Sequence, residues 1–280
     1  MAAPPARNAA SQWKPRDISA PKRTVTNIRL KNHAMDAQPR LMTDDLILET
    51  LLHGEIELQG QFVPGFNYTF LVKFTHPSLA LQAVYKPRRG EQPLWDFPPD
   101  SLALREVAAY RVSSSLGWGL VPVTVLREAG PYGPGSLQQF IQHDPNYHYF
   151  NFSPADRERL RPVALFDLLV NNADRKGGHI LVDGDQKLWL IDHGLCFHED
   201  DKLRTVIWDF AGQSIPGELL ADLAKFRRSL DDPAGLPTVL AECLTTAEMQ
   251  ALRQRATRLL EEGSFPLPPR DRRAFPYPPI

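Results

Sequence analysis

The chain carries only two cysteines, Cys196 and Cys243, among its 280 residues. They are too few and too widely separated for a disulfide framework or a zinc site, so a reducing, cytoplasmic location is expected. No apolar run approaches the roughly 20 residues that a bilayer-spanning helix requires. The N-terminal residues also lack the apolar core of a signal peptide. Charge of one sign is missing as well, because 32 Lys and Arg stand against 33 Asp and Glu. The molecule as a whole therefore has no electrostatic bias toward nucleic acid or a membrane surface. No internal repeat is visible. What remains, 42% hydrophobic and 23% charged residues, is enough to bury a substantial core in one large domain or two lobes.

Residues 1–40 are rich in Ala, Pro and basic side chains without a sustained period, and read as a disordered basic arm. Thr43 caps a helix to Leu52, with Asp44 and Asp45 complementing the N-terminal dipole and Gly54 as the stop. The period then becomes two, which predicts strands over 55–62 and 67–75 around a Pro64-Gly65 turn, and a third over 79–86. Ser101 and Gly117 bracket a helix whose stripe is Leu102, Glu106, Ala109, Ser113 and Leu116. Two further strands, over 121–126 and 137–142, flank a Gly- and Pro-rich turn. After a polar and aromatic connector at 143–152, Ser153 and Pro154 open a helix that Pro162 either kinks or replaces with a second one. Helices then run from Pro216 to Leu230 and from the Thr245/Glu248 capping box to Glu262. The final residues, 264–280, form a Pro-rich tail or strap. Strands first and helices later argue an α+β, two-lobed architecture: a lobe over 41–142 with an antiparallel sheet and one main helix, and a larger, mostly helical lobe over 143–263.

Two polar side chains sit where apolar ones are expected. Lys86 closes the apolar run Ala83-Val84-Tyr85, and Glu106 lies on the inward stripe of the next helix. A buried carboxylate is costly unless paired, so each is the natural partner of the other. The chemistry then concentrates in 171–197, NNADRKGGHILVDGDQKLWLIDHGLCF, a polar loop, a hairpin around Asp183-Gly184-Asp185 and a second loop headed by Asp192. Lys on a third strand, Glu on the next helix, Asp with a metal-ligand position five residues on, and a second Asp heading a loop form the template of phosphoryl transfer. Lys86, Glu106, Asp174, His179 and Asp192 follow that order. Each alone is weak; five in order are moderately specific.

In these residues the chain resembles the protein-kinase-like superfamily, and within it the phosphatidylinositol 3- and 4-kinase-like branch, where an Asp-Arg catalytic loop precedes an Ile-Asp-x-Gly metal loop, as Asp174-Arg175 precedes Ile191-Asp192-His193-Gly194. The wording VYKP, PLWDFP, LREVAAY, LGWGLVP, NNADRKGGH, IDHGLCFH and KLRTVIWDFAG is similar to a bacterial, mainly actinobacterial, family assigned to that branch. The similarity spans roughly 46–259, and fold analogy does not fix the substrate.

The resemblance implies a bilobal protein-kinase-like fold and an ATP-dependent phosphotransferase using Mg²⁺ or Mn²⁺. It makes Lys86 the ligand of the α and β phosphates, oriented by Glu106, and Asp192 the principal metal ligand. It makes Asp174 the group that orients or deprotonates the attacking hydroxyl, and Lys176 the charge that offsets the transferred phosphoryl. Arg175 becomes a structural tie. Gln138, Gln139, Phe140 and Ile141 fall at the hinge that offers backbone groups to adenine, and the loop over 60–67 covers the phosphates. His179 departs from the pattern, which has Asn there; it either binds Mn²⁺, acts through water, marks a site that has lost metal-dependent chemistry, or hydrogen-bonds without touching metal. A catalytically silent nucleotide-binding scaffold is the alternative reading. A metal-dependent hydrolase using Asp192, His193 and His198 is the third. The hydroxyl acceptor, lipid, protein or small molecule, is not legible; Lys202 and Arg204 either meet an acidic group on it or form a solvated pair.

Overall fold

Alternating side chains decide the first lobe. The computed structural model describes residues 43–62, 67–76 and 79–280; the basic arm over 1–40 and the Pro64-Gly65 turn lie outside them. Thr43 caps α1 (Asp44–His53) by accepting from Leu46 N. Strands β1 (Glu55–Gln61), β2 (Phe70–His76), β3 (Leu79–Pro87), β4 (Thr124–Arg127) and β5 (Gly135–Gln139) form an antiparallel sheet of order β1-β2-β3-β5-β4. The period of two puts Phe70, Val72 and Phe74 of β2, and Leu81, Ala83 and Tyr85 of β3, into one core with Ile47 and Leu51 of α1. Val84 and Lys86 consequently face the other way, into the cleft between the lobes.

The two later strands begin and end away from the expected limits. Pro122 has no N–H to give a ladder, and the Leu120 carbonyl instead accepts from Leu190 N of the second lobe at 2.8 Å. The strand β4 begins at Thr124, with Gln139 N still donating to Val123 O at 2.9 Å, while β5 reaches back to Gly135 because Gly135 still pairs with Pro87 and Arg127.

Helix α2 (Leu102–Ser115) is buried on more than the one expected stripe, since Arg105, Val107, Ala108 and Val112 are covered too. It lies between the sheet and the second lobe, where Arg105 pairs with Glu248. Ser101 stands at its N-cap position, but its side chain makes no capping bond. The Ser101 backbone is helical and its hydroxyl donates to Pro98 O at 2.6 Å. Glu91 takes the role instead, its two carboxylate oxygens accepting from Leu102 N (3.1 Å) and Ala103 N (2.8 Å).

The second lobe packs α4 (Arg161–Val170), α5 (Gly217–Ser229) and α7 (Thr246–Glu262) around Phe166, Leu169, Leu223, Phe226 and Leu252. Pro162 stands in the first turn of α4, after a separate short α3 (Pro154–Glu158), so it starts a helix and does not kink one. A short α6 (Leu236–Leu240) was not foreseen. The expected capping box at Thr245 and Glu248 is present. After α4, Asn171 turns the chain in the left-handed region (φ 54°), and β6 (Ile180–Val182) pairs with β7 (Leu188–Leu190) as a hairpin. No described helix is long and apolar enough to cross a membrane.

Candidate active site

The lobes enclose a cleft of about 790 Å³. Strand β3 supplies Lys86 from the sheet side; α2 supplies Glu106; the loops flanking the β6–β7 hairpin supply Asp174, Lys176, His179 and Asp192, and all six line the cleft. Residues up to 106 positions apart meet there.

The Lys86 ammonium bridges two carboxylates, pairing with Glu106 Oε1 and lying 3.0 Å from Asp192 Oδ1. Burial alone would lower its pKa, but the charges of Asp192 and Glu106 outweigh that and hold it above the usual lysine range. Lys86 in turn keeps Asp192 far below the usual carboxylate range against the opposing effect of burial. Glu106 spends its other oxygen on His193 N at 3.0 Å, so one carboxylate ties β3 to the loop carrying Asp192. Asp192 itself sits at φ 63°, a left-handed backbone that a non-glycine residue adopts only when its surroundings enforce it.

Asp174 is aimed by its own loop, its N–H donating to Asn172 Oδ1 at 2.9 Å. Lys176 Nζ lies 3.4 Å from its carboxylate. Burial raises the Asp174 pKa to about 6, with Lys176 opposing and Asp192 adding to the rise. His179 Nε2 stands 3.3 Å from Asp192 Oδ2. Burial lowers its pKa to about 4, which leaves the imidazole neutral near pH 7, and its buried Nδ1 has no hydrogen-bond partner among the described residues.

Arg175, fully buried, holds these loops together. It donates to Asp167 of α4 at 3.0 Å, to Ile191 O at 2.8 Å and meets His193 Nε2 at 2.8 Å. Sequence reasoning missed Asp167, although a signal was present: a carboxylate on the apolar face of VALFDLLV demands a buried partner. Glu91, eleven residues before the helix it caps, carried no comparable signal.

At the hinge, the Gln138 side chain donates to Thr124 Oγ1 at 2.9 Å. The Gln139 and Phe140 amides are spent on Val123 O and Gln82 O, both 2.9 Å. The Ile141 amide is the one of these with no bond among the described residues, which narrows what the hinge can offer a base. Lys202 is neither solvated nor beside Asp174: it pairs with Asp96 at 3.4 Å under the Trp95 ring. Arg204 lies close enough to Asp174 to favour its charged form. The three-residue hydrolase constellation is not assembled. His193 is fully buried with its ring edge-on to Phe166, and His198 Nε2 meets Asp96 O at 2.8 Å.

A divalent ion fits the two donors at the cleft. Asp192 Oδ2 offers an anionic oxygen and the neutral His179 ring a nitrogen lone pair, a mixed set that suits Mn²⁺ better than the oxygen-seeking Mg²⁺. No described cluster of three or more His, Cys, Asp or Glu residues is arranged to hold a metal, so phosphate oxygens and water would complete the shell.

No family model matches the chain. It is 40% identical over 263 residues to Protein Rv2133c of Mycobacterium tuberculosis (strain ATCC 25618 / H37Rv), covering 81% of this chain and 93% of that protein. It is 32% identical over 154 residues to phosphatidylinositol 4-kinase gamma 4 of Arabidopsis thaliana, covering 46% of this chain and 27% of the plant protein, so it spans about a quarter of that relative's length. Among solved structures it is similar to the Golgi casein kinase with Mn/ADP bound, with a TM-score of 0.53 at 16% identity, covering 78% of this chain and 74% of that one. Hydra Fam20 with sugar gives a TM-score of 0.52 at 13% identity, covering 78% and 88%. At such identities the likeness speaks for the fold, which is bilobal and protein-kinase-like.

Proposed function

The chain belongs to the family of the Mycobacterium tuberculosis Protein Rv2133c, and from that kinship, the kinase-like fold and the cleft we propose that it is an ATP-dependent phosphotransferase acting on a hydroxyl acceptor. The observation that carries this reading is the Lys86 ammonium bridging Glu106 and Asp192 in the cleft, with Asp174 and Lys176 lining the same cleft. The plant match supports the phosphatidylinositol 3- and 4-kinase-like branch. Two unpaired cysteines, both buried, accord with a cytoplasmic, reducing setting.

In this reading Lys86, held by Glu106, binds the α and β phosphates. Asp192 and His179 hold Mn²⁺ or Mg²⁺, whose contribution when bound is to neutralise charge on the β and γ phosphates. Asp174 lies near its own protonation point at about pH 6 and accepts the proton of the acceptor hydroxyl as its oxygen attacks phosphorus and the bond to ADP breaks. Lys176 offsets charge on the transferred group. Gln138, Gln139 and Phe140 shape the base pocket, and Ile141 donates its free amide to adenine.

The second reading, a silent nucleotide-binding scaffold, draws on one observation: both Asp192 oxygens already face protein cations or imidazole, Lys86 on one side and His179 on the other. Transfer of label from γ-labelled ATP to an acceptor or to the protein, with Mn²⁺ or Mg²⁺, separates the two. Loss of transfer in Asp174→Ala and Asp192→Ala supports the enzyme. Undiminished ATP binding without transfer under either metal overturns it.

A further inference from the structure

The chain beyond α7 returns across the larger lobe without helix or strand and ends beside the catalytic loop. We infer that residues 272–279 are a positioning element of the candidate active site, a strap that orders the loop carrying Asp174 and Lys176 together with the segment over 203–208 that pairs with it. The inference rests on the phosphotransfer reading for its kinetic consequence, and on geometry alone for its structural one.

The segment over 203–208 has no regular structure of its own. One edge is bonded to the catalytic loop: Arg175 N donates to Arg204 O (3.0 Å), Val206 N to Arg175 O (3.2 Å) and Arg204 N to Asn172 O (2.9 Å). The other edge is bonded to the strap. Ala274 O accepts from both Thr205 N (3.1 Å) and Trp208 Nε1 (3.2 Å). Arg272 donates to Leu203 O (2.7 Å) and pairs with Asp201 (2.7 Å). The strap also reaches the catalytic loop directly, since Gly177 N, next to Lys176, donates to Pro279 O at 2.8 Å. A Cβ at Gly177 would meet the Phe150 ring at 2.8 Å, so the loop is wedged between that ring and the strap.

The composition of the strap suits the task. Its prolines lack N–H groups and restrict φ, so the segment loses less entropy on ordering and presents carbonyls as acceptors, and carbonyls are what Gly177, Thr205 and Trp208 use. In other kinase-like proteins such a segment is ordered by an added phosphate that pairs with arginine. Here Arg175 is already committed to Asp167, Ile191 O and His193, and the strap supplies order from the opposite side.

Amide exchange and label transfer measured on the intact chain, on a chain ending at Asp271, on Arg272→Ala, and on Arg270→Ala as control test the inference. The informative amides are Arg175 and Val206, which bond across the loop pair and not to the strap. They are expected to exchange roughly tenfold faster or more in both the shortened chain and Arg272→Ala. kcat is expected to fall roughly tenfold or more with KM for Mn-ATP unchanged, and a peptide of residues 270–280 added in trans restores both. Exchange at Arg175 and Val206 equal to that of the intact chain overturns the inference; should the shortened chain fail to fold, Arg272→Ala decides by the same readout. An intact chain without transfer overturns the phosphotransfer reading and leaves the exchange test standing.

Discussion

At the scale of single residues, the site pairs charged groups whose environments push them in opposite directions. Asp174 is raised to about 6 chiefly by burial, so the folded chain holds a proton there that the unfolded chain has already released between about pH 4 and 6. Its charged form therefore costs stability that appears as pH rises through that window. Asp174→Asn removes the cost. The variant is expected to be more stable by about 1–2 kcal/mol at pH 7 and no more stable at pH 4, while losing transfer; denaturant melts at the two pH values measure it, and equal gains at both would contradict the charge argument. Wild-type transfer is expected to decline as pH falls through about 6, as Asp174 takes up its proton. His179 is a different case, a neutral imidazole beside Asp192 that, in the proposed reading, selects among metals. His179→Asn should move the preference of nucleotide binding from Mn²⁺ toward Mg²⁺, read as the metal giving the larger thermal shift. An unchanged preference would mean that the ring bonds Asp192 without meeting metal.

At the scale of elements, α2 shows where local signals mislead. Ser101 had the residue type and position of an N-cap, yet Pro98 O takes its hydroxyl and Glu91 satisfies the first amides. Ser101→Ala is accordingly expected to cost no more than about 0.5 kcal/mol, and Glu91→Ala about 1–2 kcal/mol. Because α2 carries Glu106, Glu91→Ala should also weaken nucleotide binding, which Ser101→Ala should leave intact; titration calorimetry of both variants checks the contrast. Periodicity and turn chemistry made α1, β1 to β3, α5 and α7 legible within a few residues. The limits of β4 and β5 were not, because Leu120 O is taken by the second lobe and no local pattern reports that.

At the scale of the whole molecule, the two larger hydrophobic cores among the described residues share Tyr110, which packs against both, and the cleft is lined by both lobes. A ligand that binds only the folded chain stabilises it by mass action, roughly 2.7 kcal/mol at a concentration 100 times Kd. Mn-ATP should therefore raise the melting temperature of the wild type and not that of Asp192→Ala or Lys86→Ala. A shift retained in Lys86→Ala would place the nucleotide elsewhere.

The order of Lys86, Glu106, Asp174, His179 and Asp192, and the strand, helix or loop each belongs to, was determined by the sequence itself, since periodicity, caps and turns act over a few residues. A lysine closing an apolar strand and a glutamate on an inward stripe even announced their need for a partner. Which atoms meet was decided only by the tertiary structure: Glu106 also holds His193 N, Asp167 neutralises Arg175, Glu91 caps α2, and Pro279 O meets Gly177 N in the loop carrying Asp174. Those contacts join residues distant in the chain, and their favourable energy exists only once packing has excluded water and made an unpartnered polar group costly.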